Sequence, residues 1–408
     1  RRQRQMCIRD RQRGGEGHPV RRPRRREPGE GHKGAAVRVV QINSFGNLST
    51  GSVMRSEDGR YRDEGCETWM FWGRGVPGRD ERAVNFNNKA NLCADILSTR
   101  LFGRPGFHSK AVTRKLLARL DEIDPDVVHL HNIHGYYVNI EMLFEWLASH
   151  RCQVKWTLHD CWAFTGHCAH FTYVKCAQWM SHCAYEEPCC QLSTYPKTFS
   201  KRSCATSFED KKRIFNQVPA ERMTLITPSQ WLADLVKQSF LSKYPVEVRH
   251  NEIDRTVFKP TRSAFREEQG LEGRFVVLGV ASTWTERKGL EDFVRLSREL
   301  DGECAIVLVG LSKRQIRGLP QGVLGLGRTG SPRELAGIYT TADVFFNPTR
   351  EDNYPTVNLE AEACGTPVVT YDTGGCRETV RLLGSRVISS FSEAVDAIAE
   401  MKGRGLPC

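Results

Sequence analysis

No window of this 408-residue chain approaches the ~18 consecutive apolar residues that a membrane-spanning helix needs, which excludes an integral helical membrane protein. The first segment has no apolar stretch of the kind a secretory signal carries. Without an export signal, the fifteen cysteines are not expected to form a disulfide framework, and they are read as thiols or metal ligands. No internal repeat of solenoid period is present, so the length must belong to domains rather than to an array. At 408 residues two domains are the natural expectation, and 39% apolar with 26% charged residues describes a soluble globular protein.

The net charge of +11 is unevenly placed. Residues 1–36 carry twelve Arg and Lys against four Asp and Glu, which leaves the rest of the chain at only +3. This Arg-, Gly- and Pro-rich leader lacks large apolar residues and is expected to be disordered. Such a tail can hold nucleic acid or anionic lipid by charge alone. The preferred reading is a leader without function in a chain that opens on Arg1, and no nucleic-acid partner is expected. The cysteines are uneven too, with eight between Cys152 and Cys204.

Strand-like segments at 37–43, 126–130, 154–158 and 223–228 alternate with helix-like segments at 111–123, 140–149 and 229–236. A second alternation follows, with strands at 275–281, 305–310, 344–347 and 368–370 and helices at 290–300 and 332–339. The pattern predicts α/β architecture with two Rossmann-like, doubly wound domains. Their expected limits are 37–255, carrying a Cys-rich insertion at 161–204, and 256–408.

The most informative stretch runs from Asp352 through Asn353, Tyr354, Pro355, Thr356 and Val357 to Glu360, and on to Gly365. It reads as a loop, then a short helix ending at Gly365, then a buried strand after Pro367. Two carboxylates flank a helix N-terminus, whose free N–H groups suit a phosphate, while a carboxylate in the helix suits a ribose diol. Arg287-Lys288-Gly289 opens another helix and places cations where a diphosphate would sit, against a bland reading as a solvated basic turn. The turn from Gly46 to Gly51 allows close backbone approach but is not GxGxxG, so a dinucleotide cofactor is poorly supported.

Three histidine features come next. His129 and His131 share one side of a strand, followed by His134 and Tyr136. Packing or acceptor contacts are favoured over metal there, since no nearby carboxylate completes a ligand set. His159 ends a strand and is expected in the crevice as a neutral imidazole that donates to a sugar hydroxyl or carries a proton, with Asp160 orienting it or merely capping a turn. In the insertion, Cys168, Cys176, Cys183 and Cys190 are candidates for a structural zinc. Their spacing is wider than compact CxxC pairs, and free thiols in a packed lid are the rival reading.

With these residues in place, the chain resembles retaining glycosyltransferases of the GT-B fold, family four, the group 1 glycosyl transferases of bacterial surface polysaccharides. The resemblance runs from about Val37 to the end and rests on Gly46–Gly51, Thr157-Leu158-His159, Asn251 with Ile253-Asp254, Arg287-Lys288-Gly289, and above all Asp352 to Glu360 with Ala363-Cys364-Gly365-Thr366-Pro367. It implies a nucleotide-diphosphate sugar donor, UDP or GDP type, in the second domain and a glycan or lipid-linked acceptor in the first. Lys288 is then implied to neutralise the diphosphate, Glu360 to hold the ribose and Asp352 to meet the donor sugar. The backbone of Asn353, Tyr354, Pro355, Thr356 and Val357 and the side chain of Arg287 complete the donor site, with Gly51 and His159 opposite. His131, His134 and Tyr136 face the acceptor. No catalytic metal is implied, and the setting is cytoplasmic, with peripheral association at the inner membrane face.

Three departures stand out: Asp352 where the family usually has Glu, Ser282 where it usually has a basic residue, and Glu252 where it usually has Gly. Arg287 is the expected substitute cation. The family commonly ends in a helix that crosses back to the first domain, and no sequence remains for it after 393–401, so truncation is expected. A non-catalytic nucleotide-sugar-binding scaffold and a nucleotide-sugar epimerase are the alternative functions.

Overall fold

The apolar runs that open each alternation become central strands. The computed structural model describes residues 36–403 apart from 186 and 301, so the leader other than Ala36, like residues 404–408, lies outside the described residues. The first sheet contains β1 (Arg38–Phe45), β2 (Glu67–Arg74), β3 (Ala83–Asn85), β4 (Val127–Leu130), β5 (Gln153–Thr157), β6 (Met223–Thr227) and β7 (Val246–Val248), ordered β3-β2-β1-β4-β5-β6-β7. The second contains β8 (Phe275–Val280), β9 (Cys304–Val309), β10 (Val323–Leu326), β11 (Val344–Asn347), β12 (Val368–Tyr371) and β13 (Arg386–Ile388), ordered β10-β9-β8-β11-β12-β13. Neighbouring strands in both sheets are parallel.

Parallel sheets need both faces covered, and the burial follows that rule. Every residue of β9 is buried. Alternation along it sends Ile306 and Leu308 into one core and Ala305, Val307 and Val309 into the other. The first sheet is packed around Val40, Ile42, Val128, Leu130, Val154 and Trp156.

Strand order reverses between β1 and β4 in one sheet and between β8 and β11 in the other. In open α/β sheets ligands bind outside the carboxyl ends of the strands at such switch points. His131 and His159 follow β4 and β5, while Lys288 and Asp352 follow β8 and β11, so the sequence-predicted residues sit at these two points. Both sheets lie in one compact unit beginning at Val37. Residue 255 falls in the stretch between β7 and β8. Glu252 is absent from the residues with positive φ, so that turn does not need the glycine usual there.

The sequence reading missed β2, β3, β10 and β13 and the helices Lys89–Phe102 and Ser203–Phe215. Lys89–Phe102 inverts the usual pattern, burying Asp95 and Thr99 while exposing Leu97, Leu101 and Phe102. Hydrophobic patterning cannot find a helix of that kind. Among the described residues no helix is long and apolar enough to cross a membrane.

Candidate active site

The helix Thr356–Ala363 starts at Pro355, and no side chain caps it. Its first N–H groups are therefore available to an anion. It ends before Gly365, whose φ of +89° lets the chain turn into β12. Glu360 lies on this helix and accepts a hydrogen bond from the Tyr339 hydroxyl at 3.1 Å. Burial pushes the Glu360 carboxyl up to about 7, and the Tyr339 hydroxyl offsets only part of that.

Three consecutive residues in the preceding loop have three different partners. Glu351, 3% exposed, accepts from the Phe171 and Thr172 backbone N–H groups at 2.7 and 2.6 Å and from the Thr172 hydroxyl at 2.6 Å. Asp352 accepts from the Lys288 ammonium at 2.5 Å, both side chains being about one-fifth exposed at 18% and 21%. Burial works against the Asp352 charge, but Lys288 outweighs it and holds the carboxyl below its usual range. Asn353 accepts from the Ser229 hydroxyl at 2.7 Å and donates to the His159 carbonyl at 3.2 Å. The loops at the carboxyl ends of the two sheets thus meet through side chains more than a hundred positions apart.

Glycines missed in the sequence reading hold this loop in place. Gly374 has a φ of +56°, and a Cβ there would lie 1.9 Å from the Asp352 carbonyl oxygen. At Gly375 it would lie 2.0 Å from the Asn353 carbonyl oxygen. Backbone runs directly beneath the acidic loop, which only glycine permits. Glu378, also missed, accepts from the Gln230 and Trp231 N–H groups at 2.7 and 2.9 Å and so caps the helix Gln230–Gln238 from the other lobe. Tyr354 stacks on His250 with centroids 4.9 Å apart, which leaves its backbone rather than its buried ring for a ligand.

Arg287 donates to the Glu351 carbonyl, and its own carbonyl accepts from Arg350 N–H at 2.7 Å. It therefore braces the loop, and Lys288 is the neighbouring cation that faces Asp352. Gly51 lies in the helix Leu48–Asp63, where a Cβ would meet the Phe45 carbonyl at 2.9 Å, so its glycine is required by packing.

On the opposite wall, His131 is 1% exposed and lines a small cavity with His134, His159 and Asp160. Its Nε2 bonds to Gln41 Oε1 at 3.0 Å and its Nδ1 to His159 Nε2 at 3.3 Å. With the Gln41 oxygen accepting, His131 Nδ1 accepts in turn from His159 Nε2–H, and His159 Nδ1 is left with a lone pair. Burial pushes the His159 imidazole down to about 4, so it is neutral as expected. His131 bonds His159 directly and so helps to orient it.

Asp160 does not orient His159 by a direct bond. Its carboxylate accepts from His134 Nε2 at 2.9 Å and from Trp162 N–H at 2.9 Å. Burial opposes its charge, but His134 brings the carboxyl down to about 2. His134 Nδ1 meets the Tyr195 hydroxyl at 3.3 Å, and Tyr136, at φ +69°, packs edge-on to Tyr195. These groups form one polar cluster, buried at His134 and open to solvent at Tyr195.

Residues 274–401 match the family of group 1 glycosyl transferases. WcaC of Escherichia coli K12, named for colanic acid biosynthesis as a glycosyl transferase, is 25% identical over 81% of this chain and 82% of its own length. A D-inositol 3-phosphate glycosyltransferase of Corynebacterium jeikeium is 26% identical over 60% of this chain and 56% of its own. Among solved structures, sucrose-phosphate synthase of Thermosynechococcus elongatus superposes with a TM-score of 0.63 at 14% identity, over 90% of each chain. Anabaena HepE in complex with UDP gives 0.60 at 15% identity, over 91% of each. The two parallel sheets and these likenesses give the chain the GT-B fold, with a second lobe that matches the group 1 glycosyl transferases.

Proposed function

We propose that the chain transfers a sugar with retention from a UDP-sugar to a glycan or lipid-linked glycan acceptor in polysaccharide biosynthesis. The observation that carries this reading is the Lys288–Asp352 pair beside an uncapped helix N-terminus, with Glu360 on the same helix. A donor diphosphate takes the Lys288 ammonium from Asp352 and the free N–H groups of Thr356 and Val357, and Asp352 turns to the sugar hydroxyls. Glu360 accepts from the ribose diol, and His159 Nδ1 accepts from a sugar hydroxyl across the crevice. The acceptor hydroxyl attacks from the face the diphosphate is leaving and gives its proton to a departing phosphate oxygen. Fixed cations and helix N–H groups stabilise the leaving charge, so the step is assigned to no metal. UDP is preferred over GDP because HepE, of like fold, is solved with UDP and with UDP-glucose.

Exposed Leu97, Leu101, Phe102 and Phe199 lie near Lys197, whose ammonium is 5.8 Å from the Phe199 ring centre. Phe199 N–H bonds the Arg100 carbonyl at 2.8 Å, which joins these residues into one patch. The mixture of apolar and basic groups supports peripheral contact with the inner membrane face, and nucleotide sugars place the reaction in the cytoplasm. A panel of UDP-, GDP- and ADP-sugars tests the function. Release of UDP with transfer, abolished by Glu360→Ala, is the expected result, and the absence of turnover with every donor would sink it.

Glu360 also sets two pH dependences. A ribose diol donates more strongly to the ionised carboxylate, which accepts at both oxygens, so donor affinity is expected to rise with pH through about 7 and then level off. Glu360→Gln should flatten that profile in calorimetry. Stability runs the other way, because the unfolded chain releases this proton near the ordinary carboxyl value while the folded chain holds it to about 7. Folding is therefore weakened as pH rises across that window. At pH 8 Glu360→Gln should be the more stable protein by on the order of 2 kcal/mol, allowing for partial exposure.

A further inference from the structure

The insertion between β5 and the helix Ser203–Phe215 encloses a cavity that the transfer step does not use. Six cysteines line it, together with His167. Two independent observations point to an absent occupant. The His167 imidazole is 1% exposed, and neither ring nitrogen has a well-aligned hydrogen-bond partner, the Gln191 backbone being its polar neighbour. A buried imidazole is normally satisfied on at least one side, so its idle nitrogens call for a group in the cavity.

The second observation is Lys211. It is fully buried, its ammonium donates to the Trp162 and Thr165 carbonyls at 2.8 and 3.0 Å, and it stands 3.3 Å from the Trp162 ring centre. Its ionisable surroundings are the thiols of Cys183, Cys168 and Cys204 and the carboxylate of Asp160. Asp160 already serves His134. A buried amine of this kind is held as an ammonium only by negative charge nearby, which the sulfurs of the cavity wall supply once a cation gathers them.

We propose that this cavity binds one Zn²⁺ ion through Cys168, Cys176, Cys183 and Cys189. Four thiols release four protons to solvent, and four thiolates around Zn²⁺ leave a double negative charge that faces the Lys211 ammonium. His167 supplies an N–H to a thiolate sulfur from outside the ligand shell. Cys168, Cys176, Cys183 and Cys189 share the cavity wall, and none of them is exposed. Cys190, the fourth ligand expected from the sequence, is exposed and lies at the rim, and Cys189 takes its place. Among the described residues no three donors are already gathered for a metal. Binding therefore draws the thiols in from the cavity wall by side-chain rotation. The ion braces the segment whose Phe171 and Thr172 N–H groups hold Glu351.

The full chain, purified under reducing conditions and loaded with Zn²⁺, is expected to retain about one zinc per chain after gel filtration. Co²⁺ in its place should give the intense thiolate charge-transfer absorption and visible bands of a tetrahedral site, a readout that needs no substitution. Cys183→Ser and Cys189→Ser should each lose the ion, while Cys190→Ser keeps it. A folded, reduced chain that takes up neither Zn²⁺ nor Co²⁺ overturns the proposal. So does retention of the ion by Cys189→Ser with its loss in Cys190→Ser, and so does a Cys189–Cys204 disulfide in the metal-free reduced preparation.

Discussion

Lys288→Ala is expected to lower kcat/KM for sugar transfer by about 10²- to 10³-fold, the range found when one preorganised donor to a developing oxyanion is removed. The neighbouring groups cannot replace it. Arg287 is occupied with the Glu351 carbonyl, and Ser282 brings no charge to the position where related chains are usually basic. The fold should tolerate the change, because Asp352 is partly exposed and can be solvated once its partner is gone. Lys288→Arg should recover part of the rate, since the charge returns in a different shape. Steady-state kinetics beside a melting curve checks both statements. A variant within about threefold of the parent rate would remove Lys288 from the chemistry.

Glu351→Ala should produce the largest structural effect of any single change near the site. It deletes three hydrogen bonds to one buried carboxylate and leaves the Phe171 and Thr172 N–H groups without an acceptor. Charge-assisted bonds of this kind are worth about 1.5–3 kcal/mol each and are not additive, so a loss of roughly 3–5 kcal/mol is expected. The loop carrying Asp352 is then held less firmly, and a displacement of about 1 Å at a catalytic group can cost 10²-fold in rate. Hydrogen exchange should speed up at the Phe171 and Thr172 amides, and the melting temperature should fall. Glu351→Gln keeps one acceptor oxygen and should lie between the two. Unchanged exchange at those two amides would show that the contact does not hold the lobes together.

The carboxylate pair was legible because its signal is local. Asp352 and Glu360 bracket a helix start that Pro355 and Gly365 mark in the sequence, and the helix Thr356–Ala363 lies between those marks. β8, β9, β11 and β12 were legible for the same reason, since each is a short apolar run bounded by polar or glycine turns. Glu351 was not. It neighbours Asp352, but opposite directions in a loop give the two carboxylates unrelated partners, and no periodicity encodes that. The depth of His131 was not legible either, because strand alternation says which residues share a side and not how deeply that side is buried.

By itself the sequence determined two parallel α/β halves and the loop-to-helix segment from Asp352 to Glu360, because apolar periodicity and helix ends act over a few residues. Tertiary structure alone decided that Glu351 reaches Phe171, that Asn353 joins Ser229 to His159, and that the glycines at 374 and 375 support the acidic loop. Those contacts join segments up to 194 positions apart. They depend on how two sheets present their carboxyl ends to each other, a relation that no local pattern carries.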